Sequence, residues 1–211
     1  VELASSTDWE VFCCGRSIRP DGLHDGVQWL QGNLLDETFR SELILAVKPT
    51  HLINLDWYTE HSKYWSGEEN VSWLFSTLDL FEKFAKIGGV HFLGAGSCAE
   101  YDWSSSVYSE KVTPLTQAHI FGVSKASAST LIQQLSSLNL CKSSWGRIFF
   151  VYGPNEAKGR LVPHVVTKLL SKQSVDVSEG TQVRDYLFVD DVARAFIEIS
   201  KKELEGLSLI H

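Results

Sequence analysis

The sequence has 211 residues, of which 44% are hydrophobic and 21% charged, and this is the composition of a folded globular chain rather than a disordered one. Its formal net charge of -7 gives no electrostatic basis for nucleic acid or an anionic membrane as the main partner. No apolar run approaches the roughly 20 residues that span a bilayer, and the first residues lack the pattern of a signal peptide, so we expect a cytoplasmic protein.

Short apolar runs alternate with helical patterns along the chain, which predicts an α/β fold with a parallel sheet. In the clearest helix, Val71, Leu74, Phe75, Leu78, Phe81 and Phe84 recur at steps of three and four and predict one apolar face, and Gly88-Gly89 ends it. In chain order we predict the tail of a helix over Val1–Ser6, strands over Trp9–Gly15 and Val27–Leu34, a helix over Asp36–Val47, a strand over Thr50–Leu55, the helix just described, a strand over Val90–Leu93 that runs into Gly94–Ser97, a helix over Gln117–Leu138, a strand over Ser144–Tyr152, helices over Leu161–Leu170 and Val189–Lys201, and the start of a strand over Leu207–Ile210.

The four cysteines, Cys13, Cys14, Cys98 and Cys141, form no CxxC pair, and the seven histidines form no HExxH motif or cluster. Such a pattern is typical of reduced thiols in a cytosolic protein. We therefore predict neither a disulfide framework nor a metal site.

Four segments carry motifs that stand close to predicted strands and helices. They are Gly96–Tyr101 (GSCAEY), Phe121–Lys125 (FGVSK), Arg147–Pro154 (RIFFVYGP) and Arg184–Asp191 (RDYLFVDD). Together they resemble the extended short-chain dehydrogenase/reductase family, also called the NAD-dependent epimerase/dehydratase family. Its motifs read Ser-x-x-x-Tyr, Tyr-Gly-x-Ser-Lys, Arg-x-x-x-x-Tyr-Gly-Pro and Arg-Asp-aromatic-x-x-Val-x-Asp, in the same order.

The resemblance implies a Rossmann-like, doubly wound parallel sheet that uses NAD or NADP to modify nucleotide-activated sugars. It makes Ser97 the hydroxyl that hydrogen-bonds the reacting sugar oxygen, and Lys125 the residue that holds the nicotinamide ribose and lowers the pKa of the neighbouring catalytic tyrosine. The alternatives are a loop serine that caps its own backbone and a solvated helix lysine.

The sequence departs from the family at the catalytic tyrosine, because position 121 is Phe and has no proton to exchange. His119 is no obvious substitute, since two residues turn a helical side chain about 200° away. Two further departures are Asp56, where the family usually has alanine, and Phe150, where many members have a substrate-binding asparagine.

For the cofactor, the resemblance implies contacts from residues that follow the first strands and precede the substrate lobe. They are Arg16, Asn33, Leu34, Leu55, Asp56, Trp57, Lys125 and Phe149. Arg16 follows the strand whose end meets the adenosine ribose, and an arginine there suits the 2′-phosphate of NADP, so NADP is slightly favoured over NAD. Arg19 could add to it, and the alternative is a surface arginine.

For the substrate, Arg184 matches the family's arginine that contacts the nucleotide diphosphate, which the planar guanidinium suits. The full predicted set is Tyr58, Glu100, Tyr101, Arg160 and Arg184, with Trp57 and Trp103 also flanking the expected sugar pocket. For each aromatic residue, packing in the core is an equal alternative.

We expect the sequence to be a fragment, because it begins within a helix, ends within a strand and contains no methionine. The family's Gly-x-x-Gly-x-x-Gly turn and first strand, which hold the cofactor pyrophosphate, do not occur in it. We treat 1–211 as one NAD(P)-binding domain, with 154–182 contributing to the start of the substrate lobe.

Two functions follow. The first is a nucleotide-sugar epimerase, dehydratase or 4-keto reductase, with a nucleotide sugar as the partner and a homodimer possible. The second is a non-catalytic relative that binds a dinucleotide or a nucleotide sugar as a sensor.

Overall fold

A computed structural model describes residues 8–60, 62–104, 107–139 and 141–210 of the chain. The predicted helix over Val1–Ser6 lies outside these residues. The strands are β1 (Val11–Gly15), β2 (Val27–Gln31), β3 (His51–Asn54), β4 (His91–Ser97), β5 (Lys142–Ile148), β6 (Phe150–Tyr152), β7 (Tyr186–Phe188) and β8 (Gly206–Ile210). The helices are α1 (Glu37–Val47), α2 (Glu69–Lys86), α3 (Ile120–Asn139), α4 (Leu161–Leu170) and α5 (Val189–Lys201), with a short 3₁₀ helix over Cys98–Glu100.

The pairings between these strands are all parallel, so the carboxyl ends of the strands of one sheet lie at the same edge. The largest sheet has the order β3-β4-β5-β8, while β1-β2 and β6-β7 form separate pairs. In the central pairing of the large sheet, His91 lies opposite Lys142 and Ser97 lies opposite Ile148.

Two hydrophobic clusters cover opposite faces of the large sheet, because neighbouring side chains of a strand point to opposite sides. Phe92 of β4 packs with the buried residues of α2 and α3, including Phe84 and Ile132. Leu93, the next residue of β4, packs with Phe196 of α5. Helices on both faces of a parallel sheet make this a doubly wound, Rossmann-like fold, as the sequence predicts.

The buried face of α2 differs from the predicted one. Val71 and Phe75, assigned to the apolar face from their spacing, are 38% and 65% exposed. Small polar residues take their place inside: Ser76 bonds the Leu34 carbonyl, and Thr77 accepts a hydrogen bond from Asn54 at 3.3 Å. Phe81 and Phe84 are buried as predicted. The prediction was wrong at Val71 and Phe75, because hydrophobicity alone cannot identify a face that buries polar groups with partners.

Two predicted boundaries also change. The strand predicted over Ser144–Tyr152 breaks at Phe149, so that β5 joins the large sheet and β6 pairs with β7. The helix predicted from Gln117 begins at Ile120, because the His119 ring accepts a hydrogen bond from the Gly122 N–H at 3.0 Å and caps the first turn.

Among the helices of the described residues, none has both the length and the apolar character needed to cross a bilayer. Within the same residues, no group of three His, Cys, Asp or Glu side chains is arranged to hold a metal ion. The four cysteines are free thiols; Cys98 and Cys141 are buried, and Cys13 and Cys14 are half-buried.

Candidate functional site

Ser97 ends β4, and its half-buried side chain caps the 3₁₀ helix that follows. Its Oγ accepts a hydrogen bond from the Ala99 N–H at 3.2 Å, while its own N–H donates to Oε1 of Glu100 at 2.8 Å. This capping box fixes the direction of the Ser97 side chain. A hydroxyl oxygen that accepts one hydrogen bond can still donate its own proton, so capping and substrate contact are compatible.

Glu100 and Tyr101 lie in the interior, and both are 0% exposed. Besides Ser97, the Glu100 carboxylate accepts hydrogen bonds from Trp145 Nε1 at 2.9 Å and from Arg147 Nε at 2.6 Å. The Arg147 guanidinium also lies 4.3 Å from the centroid of the Tyr101 ring. Glu100 and Tyr101 were predicted to contact the sugar, but both side chains are enclosed by protein in this structure.

Lys125 projects from the buried face of α3 and is 5% exposed. Its Nζ donates to the Ala95 carbonyl of β4 at 2.6 Å and lies 4.4 Å from the centroid of the Trp57 ring. Burial lowers the pKa of Lys125 to about 8, against the opposing charges of Glu100 and Asp56. The Lys125 ammonium is thus held in the interior at the Ala95 carbonyl, instead of being solvated.

Phe121, one helical turn before Lys125, is 8% exposed and packs against two aromatic residues of the loop that precedes α2. Its ring centroid lies 4.9 Å from that of Tyr64 and 5.8 Å from that of Trp65, in edge-on contacts. The Phe121 N–H also donates to the Trp65 carbonyl at 3.5 Å. Burial raises the pKa of the Tyr64 phenol, and the positive charge of Arg160 opposes part of this rise.

Asn70 holds this loop in place and was not identified from the sequence. It is 0% exposed and accepts a hydrogen bond from Trp57 Nε1 at 2.8 Å. Its amide nitrogen donates to the carbonyls of Tyr64 and Gly67 at 2.7 and 2.8 Å. The sequence feature that could have identified Asn70 is its spacing, because it lies one helical turn before Trp73 on the buried face of α2.

Two residues predicted to bind the cofactor are Arg16, which is exposed after β1, and Asp56, which is half-buried after β3. Burial raises the pKa of Asp56, while the charges of Arg16 and Lys125 lower it, so the three side chains share one electrostatic environment. Arg16 is the exposed cation of the three and is the one accessible to an anionic ligand. By contrast, the Arg19 guanidinium bonds the carbonyls of Val27, Leu23 and His24 and serves the local structure.

The other residues predicted around the cofactor have varied environments. Asn33 accepts a hydrogen bond from the Leu35 N–H at 3.1 Å, which commits its side-chain oxygen to a local turn. Leu34 is 7% exposed, whereas Leu55 is 65% exposed at the end of β3. Phe149 is half-buried, between the two strands β5 and β6.

Arg184, predicted to bind the substrate, is exposed just before β7 and lies over an aromatic surface. Its guanidinium carbon is 5.5 Å from the centroid of Phe150 and 6.0 Å from that of Trp103. Phe150 in turn pairs across β6-β7 with Tyr186, at 5.5 Å between centroids. An exposed arginine over partly exposed aromatic rings is suited to phosphate together with a planar or sugar ring.

Arg160 and Tyr58 complete the predicted substrate set. Arg160 is the exposed N-cap residue of α4, the helix whose described residues include no buried side chain. The Tyr58 hydroxyl donates to Oε2 of Glu60 at 3.2 Å. Both residues are accessible, and Arg160 is near enough to Tyr64 for its charge to act on the phenol.

Comparisons with known proteins identify the family and the fold of the chain. The family model described as "NAD dependent epimerase/dehydratase family" matches residues 1–208. The chain belongs to the NAD-dependent epimerase/dehydratase family. The match covers all four motifs, so the resemblance found in the sequence is confirmed.

Two curated relatives match parts of the chain. It is 38% identical over 60 residues to the CDP-abequose synthase of Salmonella typhimurium, which is 28% of this chain and 20% of that protein. It is 29% identical over 97 residues to the dTDP-glucose 4,6-dehydratase of Neisseria gonorrhoeae, covering 46% of this chain and 28% of that protein. The matched part therefore spans less than a third of either relative.

Solved structures share the fold. The chain superposes on MoeE5 in complex with UDP-glucose and NAD with a TM-score of 0.81 and 21% identity, over 99% of this chain and 69% of that one. For the UDP-glucose 4-epimerase of Thermotoga maritima with UDP-glucose, the TM-score is 0.79 at 17% identity, over 96% of this chain and 69% of that one. At such identities the likeness shows the fold alone.

Proposed function

We propose that this chain is the cofactor-binding part of an oxidoreductase that acts on a nucleotide sugar with NAD or NADP. The observation that carries the proposal is that Lys125 is buried against β4, where it bonds the Ala95 carbonyl two residues before Ser97, the residue that ends the strand. Ligands of open α/β sheets bind at the carboxyl ends of the strands. A buried lysine next to a strand-end hydroxyl is suited to orienting and polarising a sugar hydroxyl.

The cofactor would be held by the residues at the ends of β1 and β3, with Arg16 on the adenosine side and Lys125 on the nicotinamide side. The bound nicotinamide would accept hydride from the sugar carbon or return it. In this arrangement Ser97 donates its hydroxyl proton to the reacting sugar oxygen, while its own oxygen stays fixed by the Ala99 N–H. Arg184 and its aromatic surface hold the nucleotide diphosphate outside the pocket.

Position 121 determines whether the site is catalytic. Phe121 cannot exchange a proton, and the phenol that contacts its ring is Tyr64. Burial raises the pKa of Tyr64, so that phenol stays protonated at neutral pH and is a weaker acid than an ordinary tyrosine. With Phe121 unable to exchange a proton, we expect slow turnover or none from this site as it stands.

A second function rests on the same residue. With a well-packed phenyl ring at the proton-transfer position, the site can bind a dinucleotide or nucleotide sugar without turning it over. In that case the protein is a sensor or partner that retains the binding residues Lys125 and Arg184.

One experiment separates the two functions. The full-length protein that contains this chain is mixed with NAD or NADP and with UDP-, dTDP- and CDP-linked sugars. Calorimetry follows binding, while chromatography of the nucleotide-sugar products and absorbance at the reduced-nicotinamide band follow turnover. Binding with turnover supports the enzyme. Binding without turnover supports the sensor, and no binding of any nucleotide sugar contradicts both.

A further inference from the structure

We propose that Glu100 is a positioning residue of this site, whose enclosed carboxylate fixes the backbone of Ser97 through one oxygen and pairs with Arg147 through the other, beside the strand segment that holds Lys125. In this role Glu100 is enclosed by protein and does not touch the substrate. The effect of Glu100 on catalysis rests on the proposed function, whereas its interactions with Ser97 and Arg147 lie within the chain and do not.

The two carboxylate oxygens have different tasks. Oε1 accepts hydrogen bonds from the Ser97 N–H at 2.8 Å and from Trp145 Nε1 at 2.9 Å. Oε2 accepts the charged hydrogen bond from Arg147 Nε at 2.6 Å, in an ion pair whose side chains are 0% and 4% exposed. These donors satisfy the hydrogen-bonding capacity of the carboxylate in the interior, where an unpaired polar group is costly.

Gly96 lets the carboxylate and the Trp145 indole approach the strand. A Cβ added at Gly96 would lie 2.4 Å from Trp145 Nε1 and 2.6 Å from Glu100 Oε1, so one of these side chains would have to move. The carboxylate therefore packs directly on the backbone, next to Ala95, whose carbonyl accepts the Lys125 hydrogen bond at 2.6 Å. The glycine places the negative charge of Glu100 on the strand segment that also binds Lys125.

The groups that act on Lys125 come from two elements. Glu100 of the 3₁₀ helix and Asp56 of the loop after β3 both raise the pKa of Lys125, against the larger effect of burial. The Trp57 ring covers the ammonium from the loop side. Glu100 is the one of the two carboxylates that is fully enclosed, so water screens its charge least.

The test measures the ionisation of Lys125 and does not require turnover. In the full-length protein labelled at lysine, NMR titration between pH 6 and 11 follows the Lys125 side chain in the parent and in two variants. Glu100→Gln removes the negative charge, and we expect the pKa of Lys125 to fall by about 1–3 units. Arg147→Lys keeps a cation beside the carboxylate, and we expect the pKa of Lys125 to stay close to that of the parent.

A purely structural role for Glu100 would leave the Lys125 pKa unchanged in every variant that folds. The matched control is Asp79→Asn, because Asp79 also accepts a hydrogen bond from an arginine Nε, that of Arg40, at 2.6 Å. That variant should lower the melting temperature and leave the Lys125 titration unchanged. If Glu100→Gln leaves the Lys125 pKa where the parent has it, the proposal is overturned.

If Glu100→Gln does not fold, Glu100→Asp tests the proposal alone, and unchanged exchange of the Ser97 amide overturns it. Glu100→Asp adds a test of the other interaction, since a shorter side chain keeps the charge but withdraws from Ser97. We expect hydrogen exchange of the Ser97 amide to become about tenfold faster in it. Failure of the protein to act on any nucleotide sugar would contradict the proposed function and leave these results standing.

Discussion

The guanidinium of Arg184 lies 5.5 Å from the ring centroid of Phe150, at the start of the β6-β7 pair. The two residues belong to motifs that are far apart in sequence, and the parallel pairing of Phe150 with Tyr186 brings them together. Phe150 occupies a position where the resemblance leads one to expect a polar, substrate-binding residue. Its ring instead supports the arginine that we expect to bind phosphate.

Arg184→Ala should weaken nucleotide-sugar binding by about 1.5–3 kcal/mol, the scale of one charged hydrogen bond. The affinity for NAD or NADP should change little, because Arg184 lies on the substrate side. Calorimetry of the full-length protein with each ligand measures both. The control is Arg194→Ala, which removes an exposed arginine that pairs with Asp191. Equal nucleotide-sugar affinity in the parent and Arg184→Ala would remove Arg184 from the substrate site.

Arg16→Asp should shift the preference from NADP toward NAD by about 10- to 100-fold, because it replaces a cation suited to the 2′-phosphate by a carboxylate suited to ribose hydroxyls. Parallel titrations of both cofactors give the affinity ratio. Arg19→Ala is the matched control, since its guanidinium bonds three backbone carbonyls nearby and its loss should reduce stability without changing the ratio. An unchanged ratio in Arg16→Asp shows that Arg16 does not read the cofactor.

His91 should make the protein less stable in mild acid. Its ring is 0% exposed and contacts Ser144 Oγ at 3.0 Å and the Leu204 carbonyl at 2.9 Å. Burial lowers its pKa below 6.5, so between the folded-state pKa and 6.5 the unfolded chain binds the extra proton. Stability is therefore lost as pH falls below about 6.5, by up to about 1.4 kcal/mol per pH unit.

Urea unfolding between pH 5 and 8 measures this dependence. His91→Gln should flatten the acid side of the curve, whereas Ser144→Ala should lower stability at every pH and keep the slope, because it retains the histidine. The same acid slope in His91→Gln and the parent would assign the dependence to other groups, of which His51 and His119 also have pKa values lowered by burial.

The alternation of strands and helices could be predicted because apolar periodicity is a local property, and α4 and α5 were predicted with their observed ends. The break at Phe149 could not, because the apolar run continues through it while the two halves join different sheets. The burial of Glu100 could not be predicted either, because it depends on a partner that is distant in sequence. A lone glutamate after a strand indicates a surface or a pocket, whereas the arginine that pairs with it, Arg147, is 47 residues away.

The central claim is that this site is built for proton and hydride transfer but contains a phenyl ring where a phenol belongs. Phe121→Tyr in the full-length protein tests it most directly, because the two side chains differ by one hydroxyl. We expect turnover to rise by roughly 10²-fold or more, mainly in kcat, since a proton-transfer group acts in the transition state. Phe75→Tyr, at an exposed position of α2, is the control and should have no effect.

The measurement is the initial rate of conversion of a nucleotide sugar that the protein binds, followed by chromatography of the product, for the parent, Phe121→Tyr and Phe121→Tyr with Lys125→Ala. The account predicts a slow parent, a large gain in the first variant and loss of most of that gain in the second. It is contradicted if the parent already turns over at ordinary enzyme rates, because another group then supplies the proton, or if Phe121→Tyr gives no gain.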